Sequence, residues 1–455
     1  GCFNTAVGHE ALKNNTTAHG NTAMGSCALS GNTTGYGNAA FGQGAGMASS
    51  GCVQTGHYNT GIGLNSMRAS TGAKNTGLGM QALASNTTGQ HNTASGAYSL
   101  RDNTTGQENT AIGYNAMRTN TTGLYNTAIG SYSMCAKSVG SHYNTAIGHS
   151  TMQNITTNCN LAVGMWAMRQ STSASFMHAV GFKALYSNTT GDYNYASGYT
   201  ALHDNTTGCC NTATGREALY CNTVGYCNTA MGYRALCSNT TGYCNCAIGD
   251  YALGGNTTGS GNTAFGYGAA YNNTSGTRNF VFGCCALNAN TTGSCNSAFG
   301  ILALKDNTSG TYNTAVGHDA QCFNISGWKN AAFGHGALLL STTGSGNTAL
   351  GMVALDSNTS GGYNTASGYA AMNNSTTGNF NVAYGHGALG SNSSGACNVA
   401  IGASANTSCS SHNNQIIIGY GAAGAGTNKT VIGNAATTNT YICGALSKGS
   451  GTFLI

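Results

Sequence analysis

The sequence of 455 residues contains no proline and almost no charge: 15 Lys and Arg against 10 Asp and Glu. Ordinary globular domains are about 25% charged and roughly 5% proline. An ordinary enzyme is therefore not expected. Collagen needs proline together with glycine at every third residue, and neither condition is met. No apolar run approaches the ~20 residues of a membrane-spanning helix, so no membrane span is expected. A net charge of +5 on so long a chain is too thin to suggest nucleic acid as a partner. Disorder is excluded as well, because 40% of the residues are hydrophobic.

The chain has instead 70 Gly, 24 Tyr, 19 Cys and one repeated sentence. Asn211-Thr-Ala-Thr-Gly215, Asn228-Thr-Ala-Met-Gly232, Asn245-Cys-Ala-Ile-Gly249 and Asn262-Thr-Ala-Phe-Gly266 each begin 17 residues after the last. The period is unbroken from Gly181 to Gly402 and slips slightly near Gly42–Gly79 and Gly130–Gly164. In all, 26 copies are legible, the last two, ending at Gly419 and Gly433, being less regular. The consensus is Asn-Thr-Ala-h-Gly-x-x-Ala-Leu-x-x-Asn-Thr-Thr-Gly-x-x, with h usually apolar.

Seventeen residues is too short for a helical-hairpin repeat, which needs about 34. Gly, Asn and Thr also disfavour helix. The expected fold is all-β: a parallel β-solenoid (β-roll) of about 26 coils. Residues 1–404 form the repeat region and 405–455 an irregular end. Asn-Thr-Ala-h is expected as one strand, x-Ala-Leu as a second, and Asn-Thr-Thr-Gly as a turn. Coils stacked at ~4.8 Å would make a rod on the order of 125 Å long. The chain opens in mid-repeat at Gly1-Cys2-Phe3-Asn4, so an upstream region is expected to precede it.

Strand side chains alternate between faces. The constant Ala and the h residue thus point opposite ways. If Ala lines the coil interior, the h column needs a cover of its own, and a second copy of the chain is the expected partner. That seam would include Ile112, Ile129, Met231, Ile248, Phe265, Phe282, Phe299, Val316 and Phe333. The alternative is a flattened coil that takes both columns inside. The constant Gly either supplies a backbone conformation closed to other residues or permits close packing.

The Asn-Thr-Ala-Ile-Gly core resembles the head repeats of trimeric autotransporter adhesins. The fuller repeat, with Ala-Leu and Asn-Thr-Thr-Gly, is similar to the repeat regions of phage and giant-virus tail-fibre-like proteins. Asn414-Gln-Ile-Ile-Ile-Gly419, Thr430-Val-Ile-Gly-Asn434 and Thr440-Tyr-Ile-Cys-Gly444 resemble the segment that often precedes an intramolecular chaperone domain there. The resemblance implies a parallel β-roll, commonly a homotrimer, used as a stalk or adhesive shaft. The 19 cysteines and the strict 17-residue period depart from that pattern.

Asn-x-Ser/Thr recurs at the turn, at Asn32, Asn86, Asn103, Asn120, Asn188, Asn205, Asn239, Asn256, Asn290, Asn307, Asn358 and Asn392. Further copies stand at Asn154, Asn324, Asn406 and Asn428. In a secreted eukaryotic protein these are N-glycan acceptors, and at exposed turns glycans would solubilise a poorly charged rod. The competing reading is turn chemistry alone. Cys210, Cys227 and Cys244 form a vertical series, and Cys221 with Cys237 another. Stacked coils bring their Cα atoms within disulfide range, so partial disulfide formation is expected. His318 and His335 stack one coil apart in a column that also accepts Tyr, Arg, Asp and Ser, and this reads as a solvent-facing position rather than a metal site. Tyr58, Tyr125, Tyr193 and Tyr363 precede the repeat Asn and are expected as exposed rings. The scattered acids support no catalytic pair, and no cofactor motif occurs.

The function expected is therefore structural: a secreted, self-associating, glycosylated β-solenoid shaft of an extracellular fibre, polymerising end to end. Two rivals remain: an adhesin or viral tail-fibre shaft that binds host-surface glycans, and an ice-binding solenoid built on Thr ladders.

Overall fold

A computed structural model describes residues 1–47, 53–136 and 140–438. Thr440–Gly444 lie outside this set. The chain divides into two compact units, Gly1–Ser275 and Gly276–Ile455.

Unit 1 carries sixteen three-residue strands, from β1 (Thr5–Val7) to β16 (Thr263–Phe265). Neighbouring strands pair in parallel and in register, as in β13 (Thr212–Thr214) with β14 (Thr229–Met231), where Ala213 faces Ala230. Unit 2 carries ten, from β17 (Phe280–Phe282) to β26 (Thr430–Ile432), paired in the same way. Each unit is a β-solenoid of about 17 residues per coil. Where the spacing stretches to 21 residues, Ala40 still faces Gly61. The register therefore survives the slips, because the extra residues fall between strands. Past residue 404, Ile417 of β25 (Ile416–Ile418) pairs with Ala400.

Among the described residues each coil has one strand, not two. The x-Ala-Leu segment is a turn, because non-glycine residues there adopt left-handed backbone: Arg234 at φ 56° and Leu236 at 51°, with Cys227 ahead of the strand at 55°. Such residues are strained unless the surroundings hold them. Here each donates its N–H to a neighbouring coil: Arg234 to the Arg216 carbonyl at 3.0 Å, Leu236 to Ala252 at 3.0 Å, Cys227 to Cys209 at 3.0 Å. Alternating the sign of φ aims every second N–H along the stack, while Ala235 between them donates to the Gly232 carbonyl of its own coil at 3.4 Å. An extended strand would leave them unpaired at so sharp a corner.

The strand ends at a glycine that serves both expected purposes at once. Gly232 has φ 132°, and a Cβ on it would stand 2.6 Å from the carbonyl carbon of Gly249 in the next coil. The close approach is between coils of one chain.

The interior is narrow. In one coil it consists of Ala230, Ala235 and Leu236 with Asn228 and Asn239, all fully buried. Small residues dominate the strand position, and Val281 takes it in one coil, buried beside Asn279 and Asn290.

Candidate interaction surface

The strand decides what reaches solvent. In β14 the middle residue Ala230 is buried, Thr229 is half-buried and Met231 is 42% exposed. The middle residue is buried in every strand from β2 (Thr22–Met24) to β25, with the third residue exposed or half-buried, so the flattened coil with both columns inside is excluded. In unit 1 the outward column includes Ile112, Ile129 and Met231, exposed, and Ile248 and Phe265, half-buried. In unit 2 it includes Phe282 and Phe333, exposed, with Phe299 and Val316 half-buried. Phe282 and Phe299 stack at 5.7 Å, and Phe280 leans on Phe299 at 5.3 Å. Each unit thus presents a ladder of apolar side chains, broken by Ser95, Ser197 and Thr214 in unit 1 and Ser367 in unit 2. Large apolar groups arrayed in this way on a surface mark contact sites.

Beside this face run aromatic columns. Tyr58, Tyr125, Tyr193 and Tyr363 are exposed as expected. Tyr125 stacks on Tyr143 at 5.1 Å, Phe176 on Tyr193 at 5.2 Å, and Tyr363 on Phe380 at 5.3 Å. A surface groove in unit 1 is lined by Phe182, Lys183, Tyr199, Arg216, Glu217 and Tyr220 among others. Its carboxylate, Glu217, is held by Arg216 at 3.1 Å and Arg234 at 2.8 Å.

The sequon asparagines are not where the glycan reading needs them. Asn32, Asn86, Asn103, Asn120, Asn188, Asn205, Asn239, Asn256, Asn290, Asn307, Asn358 and Asn392 are all 0% exposed. They face inward as a ladder. The amide of Asn222, in the same column, donates to Asn205 Oδ1 at 2.8 Å and to the Gly225 carbonyl at 2.9 Å. The turn's exposed residues are the second Thr of each Asn-Thr-Thr-Gly, as at Thr241 and Thr258. A sugar on a ladder nitrogen would occupy the coil interior, so these twelve positions are structural. Asn324 is buried likewise, and Asn154 and Asn406 are half-buried. Asn428 is exposed, as are three sequon asparagines passed over in the sequence, Asn14, Asn272 and Asn374. All four lie outside the regular turn column, and that irregularity was the available signal.

The disulfide expectation is likewise corrected. Seventeen cysteines are described and all are free, Cys210, Cys227, Cys244, Cys221 and Cys237 among them. In-register parallel stacking holds equivalent Cβ atoms at the coil spacing of ~4.7–4.9 Å. A disulfide needs them at ~3.5–4.5 Å and converging. Cα atoms within range are therefore not enough, because side chains in a stack point the same way. Burial raises the thiol pKa of Cys221 and Cys237, and of Cys322 to about 11, where Asp306 and Asp319 add to it.

Comparison with protein-family models and with curated proteins returns no match. Among the described residues no helix is long and apolar enough to cross a membrane.

Proposed function

We propose that this chain is a structural subunit of an extracellular fibre or appendage, a shaft that associates with further copies of itself through the strand face. The observation that carries this reading is the outward apolar column. The solenoid buries its alanines but leaves Ile112, Met231, Phe333 and their equivalents open to solvent. The column repeats at the coil spacing, so one copy offers another a matching periodic surface. Inter-coil hydrogen bonds repeat along each unit and give it stiffness, which suits a load-bearing role.

The resemblance to tail-fibre and adhesin repeats supports a shaft of this kind. An adhesin that binds surface glycans is favoured by one observation, the exposed stacked rings of Phe176 with Tyr193 and Tyr363 with Phe380. Such rings are the usual platform for sugar faces.

The test is sedimentation and electron microscopy of the full chain beside two double variants, Ile129→Lys with Met231→Lys and Phe299→Lys with Phe333→Lys. Assemblies in the parent that dissolve in both variants, but persist when the exposed turn residue Thr258 is changed to Lys, support the seam. A parent that stays monomeric at high concentration overturns it. A glycan array positive for the monomer would move the assignment to the adhesin reading.

A further inference from the structure

We propose that unit 2 carries a binding site for a divalent transition-metal ion of the zinc type, held by ring nitrogens of His318 and His335 and a carboxylate oxygen of Asp319. Donor atoms of these three side chains all lie within 4.8 Å of one another. The solenoid creates the juxtaposition. His335 sits one coil beyond His318 in the same column, and the Gly336 N–H donates to the His318 carbonyl at 3.1 Å. The two rings stack at 5.3 Å, 10° from parallel. His318 Nδ1 lies 2.8 Å from Asp319 Oδ2. Two imidazoles and a carboxylate form a donor set suited to zinc, copper or nickel rather than calcium or magnesium. Tetrahedral bonds of ~2.0–2.1 Å place neighbouring donors about 3.3 Å apart. The exposed histidines have the rotational freedom to close that gap.

An ordinary ion pair would account for His318 and Asp319 only. It leaves His335, and it leaves a second carboxylate beside it. Asp356 comes from the next coil, and its Oδ1 is buried without a hydrogen-bond partner. That oxygen lies 3.9 Å from where a Cβ on Gly336 would stand, in space the glycine vacates. The Asp319 carboxylate supplies negative charge beside the two imidazoles, and Asp356 stands on the next coil outside that set of three. The other cluster of this type, His9, Glu10 and Cys27 in unit 1, is weaker because Lys13 already holds Glu10 at 2.6 Å. An ion between His318 and His335 would pin two successive coils together.

The experiment is calorimetric titration of the chelator-treated full chain with Zn²⁺ near neutral pH. His335→Ile should fold normally, since Met352 in the next coil and Ile301 two coils before fill the same column. The expected result is loss of one equivalent of zinc in His335→Ile, and a fall in affinity of at least about tenfold in Asp319→Asn. Acidification should release the ion as the imidazoles protonate, and zinc should raise the melting temperature of the parent but not of His335→Ile. Unchanged stoichiometry and affinity in His335→Ile would overturn the site. So would the absence of any binding heat at millimolar zinc, or loss of the zinc only in His9→Ala.

Discussion

Asn211 and Asn228, one coil apart, are joined through a single oxygen: Asn211 Oδ1 accepts the backbone N–H of Asn228 at 3.0 Å and its side-chain amide at 3.2 Å. The same Asn228 amide donates to the Gly242 carbonyl at 2.9 Å. Three bonds therefore meet at Asn228, two running back to Asn211 and one forward to Gly242. Asn228→Ala removes the side-chain donor and the acceptor that serves Asn245, leaving buried backbone groups unpaired. Each such orphan costs about 1–3 kcal/mol. Because a solenoid's stability is a sum over neighbouring coils, the loss should be local. Hydrogen exchange should show faster opening across residues 211–245 while unit 2 stays protected. Uniform protection in the variant would contradict the ladder's role.

The second asparagine ladder contains its own mutational control. In the column Asn324, Ser341, Asn358, Ser375, Asn392, every side-chain oxygen is buried and lacks a partner. Ser70 in unit 1 does accept the Asn86 amide at 3.1 Å, but Ser341 and Ser375 make no such bond, so each one breaks the chain of amides on both sides. Ser341→Asn and Ser375→Asn should restore it and stabilise unit 2, each by roughly 1 kcal/mol per bond regained. Denaturant unfolding of the single and double variants measures this. A lowered midpoint would mean that the gap is filled in some other way.

Thiol reactivity should follow environment rather than column. Cys409 is exposed, and the backbone N–H and hydroxyl of Ser411 lower its pKa. Cys322 is buried and raised to about 11. The thiolate is the reacting form, and a lowered pKa means more of it at any pH below that value. Alkylation near neutral pH, followed by peptide mass spectrometry, should label Cys409 first and Cys322 last. Raising the pH towards 11 should narrow the difference.

Glycan occupancy separates the two kinds of sequon. In material from a glycosylating host, Asn14, Asn272, Asn374 and Asn428 are the positions open to carry sugar, since their side chains are exposed. The buried ladder residues, such as Asn205 and Asn239, should be bare. Enzymatic deglycosylation with isotope labelling reads each site directly. Sugar on Asn205 would be incompatible with the observed interior.

Periodicity alone determined the β-solenoid, the coil length and the inward alanine, because stacking equivalent residues is the one way a 17-residue repeat of Asn, Thr, Ala and Gly satisfies its backbone. It also placed Ile112 and Met231 opposite Ala111 and Ala230, since alternation along a strand is local geometry. What lay beyond it depended on direction around the coil. Asn-Thr-Thr-Gly reads as an exposed turn in any one repeat. Only stacking reveals that its Asn points inward, to donate to the Asn below and to its own Gly, while the hydroxyl of Thr223 reaches the Thr240 carbonyl at 3.1 Å. The left-handed Leu236 and the parallel thiols of Cys210 and Cys227 were hidden for the same reason. A residue's backbone angle and the heading of its side chain are set here by the neighbouring coil, and one repeat read by itself contains no neighbour.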